Sequence, residues 1–408
     1  MSFDLDHVVV VGGSLAGVRA CGGLRAEGFD GRITLISAEH HFPYDRPPLS
    51  KRVLSGEWQR DRIDLMHPDA FESLQLQQRL GTVATALDTT DRTVMLDDGS
   101  TLAFDGLIIA TGASPRTLPG QIVDESVVVL RTLDESLALR DVLAGGNVRL
   151  TVIGAGFIGL EVAATARSMG NEVIVLEGLP APMVRGLGAE MGEAVARIHA
   201  DQGVEIRCGL TVVGVQRAGH ELVVRVADHD DVATDVVLVG IGVRVNTAWL
   251  EGSGLELRDG VVCDERLNAG VPGVYAAGDI VRWPNQMFDG EEMRVEHWTN
   301  ASEQGLLAAK NLVSEAKGDA PEAYAPIPFF WSDQYDKRIQ FIGRAAGDDE
   351  IKIVKGSVAD RSFLALYGKH GRFRGALGLS MPKPLMQCRR LLVDGLSFDD
   401  AVAAASAF

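Results

Sequence analysis

The chain has 408 residues, and at about 100 to 200 residues per domain this length predicts roughly two to four domains. Hydrophobic residues make up 46% of the sequence and charged residues 23%, a composition typical of a soluble globular protein that excludes a disordered or fibrous one. The net charge of −17 argues against broad binding to nucleic acid or to anionic membranes. We therefore expect small molecules and proteins as partners.

The four cysteines lie far apart in the sequence, with neither a Cys-x-x-Cys pair nor a spacing typical of metal ligands. This pattern gives no support to a disulfide framework, a zinc site or an iron–sulfur cluster. No apolar run approaches the length of a membrane span. The N-terminal segment MSFDLDH is acidic and leads directly into Val8–Val11, which predicts no signal peptide. We expect a cytoplasmic protein.

The first predicted element is the β-strand Val8–Val11, followed by a glycine-rich turn, a helix and a second strand in the run RITLISAE, which ends at a carboxylate. In a dinucleotide-binding turn the first glycine allows the tight bend, the second lets the backbone approach a pyrophosphate and the third lets the helix pack on the strand. Here Gly12 and Gly17 fill the outer positions, and Ser14 fills the middle one. Glu39 lies 22 residues after Gly17, where a ribose-binding carboxylate belongs. A plain structural turn is the alternative.

A Pro-rich loop, FPYDRPPLSK, follows this unit, and further along the chain Asp98-Gly99 predicts a hairpin turn between two strands. The strand, turn, helix and strand are then repeated from residue 148 onward, with a complete G-x-G-x-x-G over residues 154–159. Glu177 closes its second strand. A carboxylate there accepts a hydrogen bond from a ribose 2′-hydroxyl and repels a 2′-phosphate, so the pattern favours NADH over NADPH, a preference that Arg185 would soften.

Two dinucleotide sites on one chain indicate a bound flavin and a nicotinamide dinucleotide that visits as substrate.

Beyond the second strand–turn–helix–strand repeat, Glu221–Val226 and Asp235–Val239 have strand patterns. After about Pro321 aromatic and basic residues concentrate; strands are predicted at 338–342 and 351–355 and a closing helix at 398–405. Residues 326–395 carry a net charge of +5, which leaves −22 for the rest of the chain.

Several longer motifs together cover nearly the whole chain. They are the first glycine turn, PYDRPPLSK at 43–51, ATGA at 110–113, LRTLDES at 130–136, GAGFIGLEVAATA at 154–166, GIGVRVN at 240–246, YAAGD at 275–279, VEHWTNA at 295–301 and FWSDQYDKRIQFIG at 330–343. With these motifs the sequence resembles the FAD-dependent NADH:ferredoxin reductases of the putidaredoxin reductase and rubredoxin reductase type, which supply bacterial Rieske oxygenases and cytochromes P450.

The resemblance implies an α/β fold with two Rossmann-like dinucleotide-binding domains, arranged as in glutathione reductase, and a C-terminal α+β domain. It implies a discontinuous FAD-binding domain at 1–115 and 245–320, an NADH-binding domain at 116–244 and a C-terminal reductase domain at 321–408.

The resemblance also implies two sets of cofactor-binding residues. The FAD set is Gly12, Ser14, Ala16, Gly17, Ala38, Glu39, Arg46, Lys51, Ala84, Thr111, Gly112, Arg131, Gly278, Asp279 and Trp298. The NADH set is Gly154, Gly156, Ile158, Gly159, Glu161, Glu177, Arg185 and Gly242. Asp279 is expected at a helix start, where a simple N-cap is the alternative. Arg46 is expected to reach a phosphate, and the alternative is that it pairs with Asp45.

Lys51, Glu161 and Trp298 are the predicted catalytic residues. The resemblance implies that the lysine and the glutamate meet beside the flavin, where the ammonium offsets negative charge and the carboxylate holds the lysine in place. The alternative is a solvated loop lysine and a first-turn acid that complements the helix dipole. For Trp298 the alternative is an ordinary interface aromatic.

The stretch His40–Lys51 holds no cysteine, which excludes the thiol chemistry of the disulfide reductases and peroxidases of this fold. We therefore expect the enzyme to pass electrons from NADH through FAD to a ferredoxin that docks near the basic C-terminal region. The alternatives are a rubredoxin reductase or an NADH oxidase of the same fold, a non-enzymatic interaction protein, and basic residues that are simply scattered over a solvated domain.

Overall fold

A computed structural model describes residues 3–120, 122 and 124–408 of the chain. The chain divides into two compact units, each assembled from three separate stretches. The first unit contains the residues up to 45, 63–114 and 244–328, and the second contains 46–62, 115–243 and 329–408.

The centre of the first unit is a five-stranded parallel sheet. Its strands, in spatial order, are Val274–Ala276, Gly106–Ile109, His7–Val11, Arg32–Ser37 and Gln77–Leu80. Val8 pairs with Ile33 on one side and with Gly106 on the other. A central parallel strand is covered on both faces, and this explains why its residues are almost entirely β-branched and buried.

Two long helices of the first unit, Leu15–Ala26 and Trp298–Lys317, approach each other closely. A Cβ atom at Gly305 would lie 2.3 Å from the carbonyl oxygen of Ala16, and one at Gly23 would lie 2.9 Å from the Cβ of Ala309. Glycine is therefore required where these helices meet, and this contact fixes the helix that follows the first glycine turn.

The remaining elements of the first unit form smaller sheets and short helices. They are the strands Ala84–Asp88, Thr93–Leu96, Thr101–Ala103, Val261–Val262, Val281–Asn285 and Glu291–Met293, the helix Pro68–Glu72 and the 3₁₀ turns Ala248–Leu250 and Gln286–Phe288. Thr93–Leu96 pairs antiparallel with Thr101–Ala103, and Gly99 between them has φ of +81°. The predicted hairpin is confirmed.

The second unit contains another five-stranded parallel sheet, in the order Glu205–Cys208, Glu172–Glu177, Arg149–Ile153, Val236–Val239 and Val127–Val128. The chain between two of these strands, Glu205–Cys208 and Val236–Val239, forms an antiparallel sheet of Val212–Ala218, Glu221–Val226 and Val232–Thr234. Its helices before the C-terminal region are Pro47–Ser50 (3₁₀), Leu133–Leu143, Phe157–Ser168, Val184–Leu187 and Ala189–Ala200. Arg60–Ile63 (3₁₀), Ala113–Pro115 and Val243–Val245 lie where the chain passes between the units.

The C-terminal part of the second unit is a five-stranded antiparallel sheet. Its order is Phe329–Gln334, Lys337–Gly343, Arg372–Leu379, Ser362–Lys369 and Glu350–Ser357, and the helices Pro382–Val393 and Phe398–Ala405 follow. The predicted strands at 338–342 and 351–355 lie inside observed ones, and the predicted closing helix has the observed bounds.

Two βαβ-type parallel sheets and a separate antiparallel sheet confirm the predicted fold class. The three domain boundaries stay a prediction. Among the described residues, every helix is too short or too polar to cross a bilayer.

Candidate functional site

The first glycine turn has a backbone that only glycine permits. Gly12 has φ of +126°, and a Cβ atom there would lie 2.1 Å from the carbonyl oxygen of Ala110. A Cβ atom at Gly17 would lie 1.8 Å from the carbonyl oxygen of Gly12. Ser14 is the residue just before the helix Leu15–Ala26, so the first N–H groups of that helix face the turn, as a phosphate-binding helix start requires.

The second glycine turn has the same backbone design, with open space beside its middle glycine. Cβ atoms at Gly154 and Gly159 would each lie 2.3 Å from a carbonyl oxygen, and Gly154 has φ of +103°. A Cβ atom at Gly156 would meet nothing within 4 Å. Gly156 therefore leaves free space at the start of the helix Phe157–Ser168, where a pyrophosphate can approach the backbone. Ile158 is 46% exposed at the same helix start.

A half-buried carboxylate follows each turn, at Glu177 on the last residue of the next strand and at Glu39 two residues after the strand Arg32–Ser37. Glu177 accepts hydrogen bonds from the backbone N–H of Ala155 at 2.6 Å and of Leu179 at 2.8 Å. Glu39 follows exposed Ala38 and accepts from the hydroxyl of Tyr44. A carboxylate has about four lone-pair sites, so Glu177 with its two bonds keeps acceptor capacity for a ribose hydroxyl. Both turns fit a dinucleotide.

Lys51 and Glu161 are 110 residues apart in sequence and meet in the second unit, with 2.5 Å between Nζ and Oε2. The hydroxyl of Ser50 donates to the same oxygen at 2.5 Å, and the hydroxyl of Ser332 donates to the other oxygen, Oε1, at 2.7 Å. The side chains of Lys51 and Glu161 are 17% and 5% exposed. The alternative of a solvated loop lysine is wrong, because the buried carboxylate holds this lysine in a charge-assisted contact.

The loop that carries Lys51 is anchored along its length. Arg46 donates to the carbonyl oxygen of Arg131 at 2.5 Å. Ser136 donates to the carbonyl of Leu49 at 2.7 Å, and Thr165 donates to that of Ser50 at 2.8 Å. These bonds fix the loop to the helices Leu133–Leu143 and Phe157–Ser168 and to the residue Arg131 just before the first of them. Sequence reasoning missed these serine and threonine anchors, whose only signal was their place inside the motifs.

Thr111 and Gly112 lie beside Asn246, a residue that sequence reasoning did not select. The Asn246 side-chain amide donates to the carbonyl of Thr111 at 2.9 Å, and its backbone N–H donates to that of Gly112 at 2.9 Å. The hydroxyl of Thr111 donates back to the Asn246 carbonyl at 3.0 Å. The polar end of GIGVRVN thus fixes the ATGA segment.

Asp279 does not begin a helix, so the predicted helix start is wrong. The strand Val281–Asn285 follows instead, because its backbone pairs with Val261–Val262 on one side and with Glu291–Met293 on the other. Gly278 has φ of +85°, its N–H donates to Gln304 Oε1 at 2.8 Å, and a Cβ atom there would lie 3.1 Å from the Cβ of Ala16. The Gly278–Asp279 segment therefore lies beside the helix of the first glycine turn.

The remaining predicted site residues lie at separate places, each with its own surroundings. Trp298 donates its indole N–H to Asp45 at 2.7 Å, and Ala84 is buried at the start of its strand. Arg185 is exposed on the short helix Val184–Leu187. Gly242 has φ of +98°, and its carbonyl accepts from the backbone N–H of Arg116 at 2.9 Å.

All four cysteines are free thiols, and three of them are buried. Burial raises the pKa of Cys21 and of Cys388 to about 12. Burial also raises the pKa of Cys263 and of half-buried Cys208 above the usual thiol value. These groups are protonated and unreactive at neutral pH, since the thiolate is the reactive form.

Two parallel sheets, each with a glycine turn and a terminal carboxylate, define an oxidoreductase of the class that binds two dinucleotides. The chain belongs to the pyridine nucleotide-disulphide oxidoreductase family, whose profile matches residues 6–305; the reductase C-terminal domain matches 329–408. This confirms the predicted family relationship.

Curated relatives match along almost the whole chain. The ferredoxin–NAD(+) reductase component of the anthranilate 1,2-dioxygenase system of Burkholderia cepacia is 34% identical, covering 96% of this chain and 95% of that protein. Putidaredoxin reductase of Pseudomonas putida is 34% identical, covering 96% and 92%. The crystal structure of a covalent putidaredoxin reductase–putidaredoxin complex aligns with a TM-score of 0.90 at 32% identity over 99% of each chain. The family and these relatives imply FAD as cofactor and NADH as substrate, as predicted.

Proposed function

We propose that this protein is an NADH-dependent ferredoxin reductase that takes electrons from NADH, holds FAD and delivers single electrons to a small iron–sulfur protein serving a Rieske oxygenase or a cytochrome P450. The observation that carries the proposal is the match to reductase components along 96% of the chain, including the C-terminal sheet. The chain's thiols are largely buried and protonated, so electrons have no thiol relay to follow and leave for an external acceptor.

FAD would be held at the first glycine turn, with Ala16 and Gly17 at the helix start, Ala38 and Glu39 at the adenosine ribose, and Gly278 and Asp279 beside them. The further FAD residues proposed are Arg46, Lys51, Ala84, Thr111, Gly112, Arg131 and Trp298. Bound FAD supplies the conversion of a two-electron donor into single electrons.

NADH would bind at the second glycine turn. Gly154, Gly156 and Gly159 shape the backbone, Glu177 accepts from the ribose, and Ile158, Arg185 and Gly242 complete the site. Glu161 holds the Lys51 ammonium in one place, where its charge offsets the negative charge that builds up during electron uptake. These roles assign residues 1–115 and 245–320 to FAD, 116–244 to NADH and 321–408 to the C-terminal domain.

The role of Lys51 is tested with Lys51→Met. We expect slower flavin reduction by NADH in stopped-flow absorbance, by about tenfold or more, which corresponds to about 1.4 kcal/mol of transition-state stabilisation. Flavin content is measured in parallel, because weaker FAD retention is the other expected effect. Unchanged reduction kinetics together with full flavin content would contradict the role.

Ferredoxin is proposed to dock on the outer face of the helix Pro382–Val393. Its inner residues, Leu385, Cys388 and Leu392, are buried. The outer face exposes Lys383, Met386, Arg389, Arg390 and Val393, a set of positive charges around apolar side chains. Ferredoxins are generally acidic, so a local positive face would overcome the repulsion from an overall charge of −17 and steer the encounter.

Charge reversal tests this docking face. Arg389→Glu, alone or with Arg390→Glu, should raise the apparent KM for ferredoxin and weaken its salt dependence, while ferricyanide reduction stays unchanged. Lys352→Glu is the matched control, because it changes the net charge by the same amount as Arg389→Glu at another exposed position, in the C-terminal sheet. Equal loss with both acceptors would place the docking face elsewhere.

The overall function is tested with the purified holoprotein, first by its visible flavin spectrum and then by NADH-driven cytochrome c reduction with and without ferredoxin. Fast NADH consumption in air without ferredoxin would favour an oxidase instead. Preferential reduction of rubredoxin would favour a rubredoxin reductase. We place the protein in the cytoplasm, since unpaired buried thiols fit a reducing compartment.

A further inference from the structure

Behind the Lys51–Glu161 pair lies a row of buried polar side chains that the proposed reaction does not use. Ser332, Gln334 and His199 are each 0% exposed, and Tyr335 lies at the far end of the row. Ser332 and Gln334 are two residues apart on the strand Phe329–Gln334, so they project from the same face. The row belongs entirely to the second unit.

The hydrogen bonds of this row are continuous. Ser332 Oγ lies 2.7 Å from Glu161 Oε1, and Gln334 Nε2 lies 3.1 Å from Ser332 Oγ. His199 Nε2 lies 2.8 Å from Gln334 Oε1, and the Tyr335 hydroxyl lies 3.3 Å from His199 Nδ1.

The direction of every bond follows from the charge on Glu161. A carboxylate paired with a lysine only accepts, so Ser332 must donate its single hydrogen to it. Ser332 Oγ then accepts from the Gln334 amide N–H, which turns the Gln334 carbonyl toward His199. His199 Nε2 must therefore carry a hydrogen, and its Nδ1 accepts from Tyr335.

The ionisation of the end groups agrees with this direction. Burial lowers the pKa of His199, which keeps the imidazole neutral with one donor and one acceptor nitrogen. Burial raises the pKa of Tyr335, so its hydroxyl stays protonated and able to donate. Each group donates toward Glu161, and bonds aligned in one direction polarise and strengthen one another.

We propose that Ser332, oriented by Gln334 and His199, is a positioning residue that fixes the Glu161 carboxylate so that its second oxygen holds the Lys51 ammonium. The catalytic importance of Lys51 rests on the proposed function, whereas the positioning itself rests on the bonds above. The first strand of the C-terminal sheet would then contribute directly to the geometry of the nicotinamide-dependent half of the reaction.

Loss of the Ser332 hydroxyl would leave Glu161 Oε1 buried without its donor. The carboxylate would then be able to rotate, so that both of its oxygens share the Ser50 hydroxyl, and the Lys51 ammonium would lose its single fixed position. Thr234 offers a matched control, since it is a buried hydroxyl of the same unit that donates to the Arg149 backbone carbonyl, 2.7 Å away.

The experiment compares Ser332→Ala, Ser332→Thr and Thr234→Val as holoproteins. Acetic anhydride labels lysines, and mass spectrometry gives the acetylation rate of Lys51 relative to exposed Lys383. We expect Ser332→Ala to raise this relative rate and to slow flavin reduction by NADH, each by about tenfold, the size expected for one hydrogen bond to a charged group. Ser332→Thr should restore both values, and Thr234→Val should change neither.

A relative acetylation rate for Ser332→Ala that equals that of Thr234→Val would overturn the proposal. If Ser332→Ala does not fold, Gln334→Met carries the test: a severalfold increase in Lys51 acetylation supports the proposal, and an unchanged rate refutes it. A wild-type holoprotein that NADH does not reduce would refute the proposed function alone, because the acetylation comparison needs no turnover.

Discussion

The two glycine turns of this protein share one backbone design but differ in how their carboxylates are held. In the second turn Glu177 bonds to the N–H of Ala155 inside the turn itself. In the first turn Glu39 bonds to Tyr44, which belongs to the loop that follows the strand. The second position also differs, with Ser14 in the first turn and Gly156 in the second.

On the proposed assignment of the two turns, the carboxylate of the NADH site is held within its own turn, and the carboxylate of the FAD site contacts the loop after its strand. A site complete in itself suits a substrate that must enter and leave. A site tied to a neighbouring loop suits a cofactor that stays bound, because ordering more of the chain around a ligand slows its release.

The largest expected effect comes from Gly12→Ala and Gly154→Ala. Each adds a Cβ atom that would lie 2.1 Å or 2.3 Å from a carbonyl oxygen, at a φ above +100°. Such backbone strain costs about 1–3 kcal/mol before any repacking. Gly12→Ala should yield protein depleted of FAD, whereas Gly154→Ala should retain FAD and lose about a hundredfold in kcat/KM for NADH.

Flavin content from the visible spectrum and steady-state kinetics with ferricyanide check this pair of variants. Gly99→Ala, at a φ of +81° in the hairpin turn with open space around it, controls for the strain of a positive φ alone. If Gly154→Ala lost FAD while Gly12→Ala retained FAD and lost kcat/KM for NADH, the assignment of the two turns would be reversed.

A smaller effect is expected from Glu177→Ala. It removes the acceptor for the backbone N–H groups of Ala155 and Leu179, so kcat/KM for NADH should fall about tenfold. It also removes the group proposed to repel a 2′-phosphate, so the preference for NADH over NADPH should become smaller. Glu39→Ala is the counterpart and should weaken FAD binding without changing the nucleotide preference. Kinetics with both nucleotides measure the ratio, and an unchanged NADH/NADPH ratio in Glu177→Ala would contradict this role.

Much of this comparison could be predicted from the sequence, because it depends on local patterns. The glycine turns, the strands on either side and the closing carboxylates follow from spacing alone, and the hairpin at Asp98-Gly99 follows from turn chemistry. The closing helix 398–405 has an N-cap serine and a clear helical period, and it appears with the predicted bounds.

Long-range partners could not be predicted in the same way. Nothing near Glu161 in sequence indicates that Ser50 and Ser332 donate to it, because three separate stretches of chain supply these groups. The helix expected at Asp279 failed for a related reason. The segment after it pairs with two strands, and this tertiary pairing overrides a capping signal that is purely local.

The smallest expected effect tests the remaining difference between the turns, Ser14 against Gly156. A side chain at Gly156 would meet no protein atom within 4 Å, so Gly156→Ser should leave the melting temperature within about 1–2 °C of wild type, as for a surface substitution. The same open space is where the NADH pyrophosphate is proposed to approach, so KM for NADH should rise about threefold to tenfold with kcat nearly unchanged.

The reverse change, Ser14→Gly, should alter FAD retention by less than about threefold, because serine keeps the backbone N–H that a phosphate uses. If Gly156→Ser left KM for NADH unchanged, the pyrophosphate would not pass over this glycine, and the second turn would be shaped by packing rather than by its ligand.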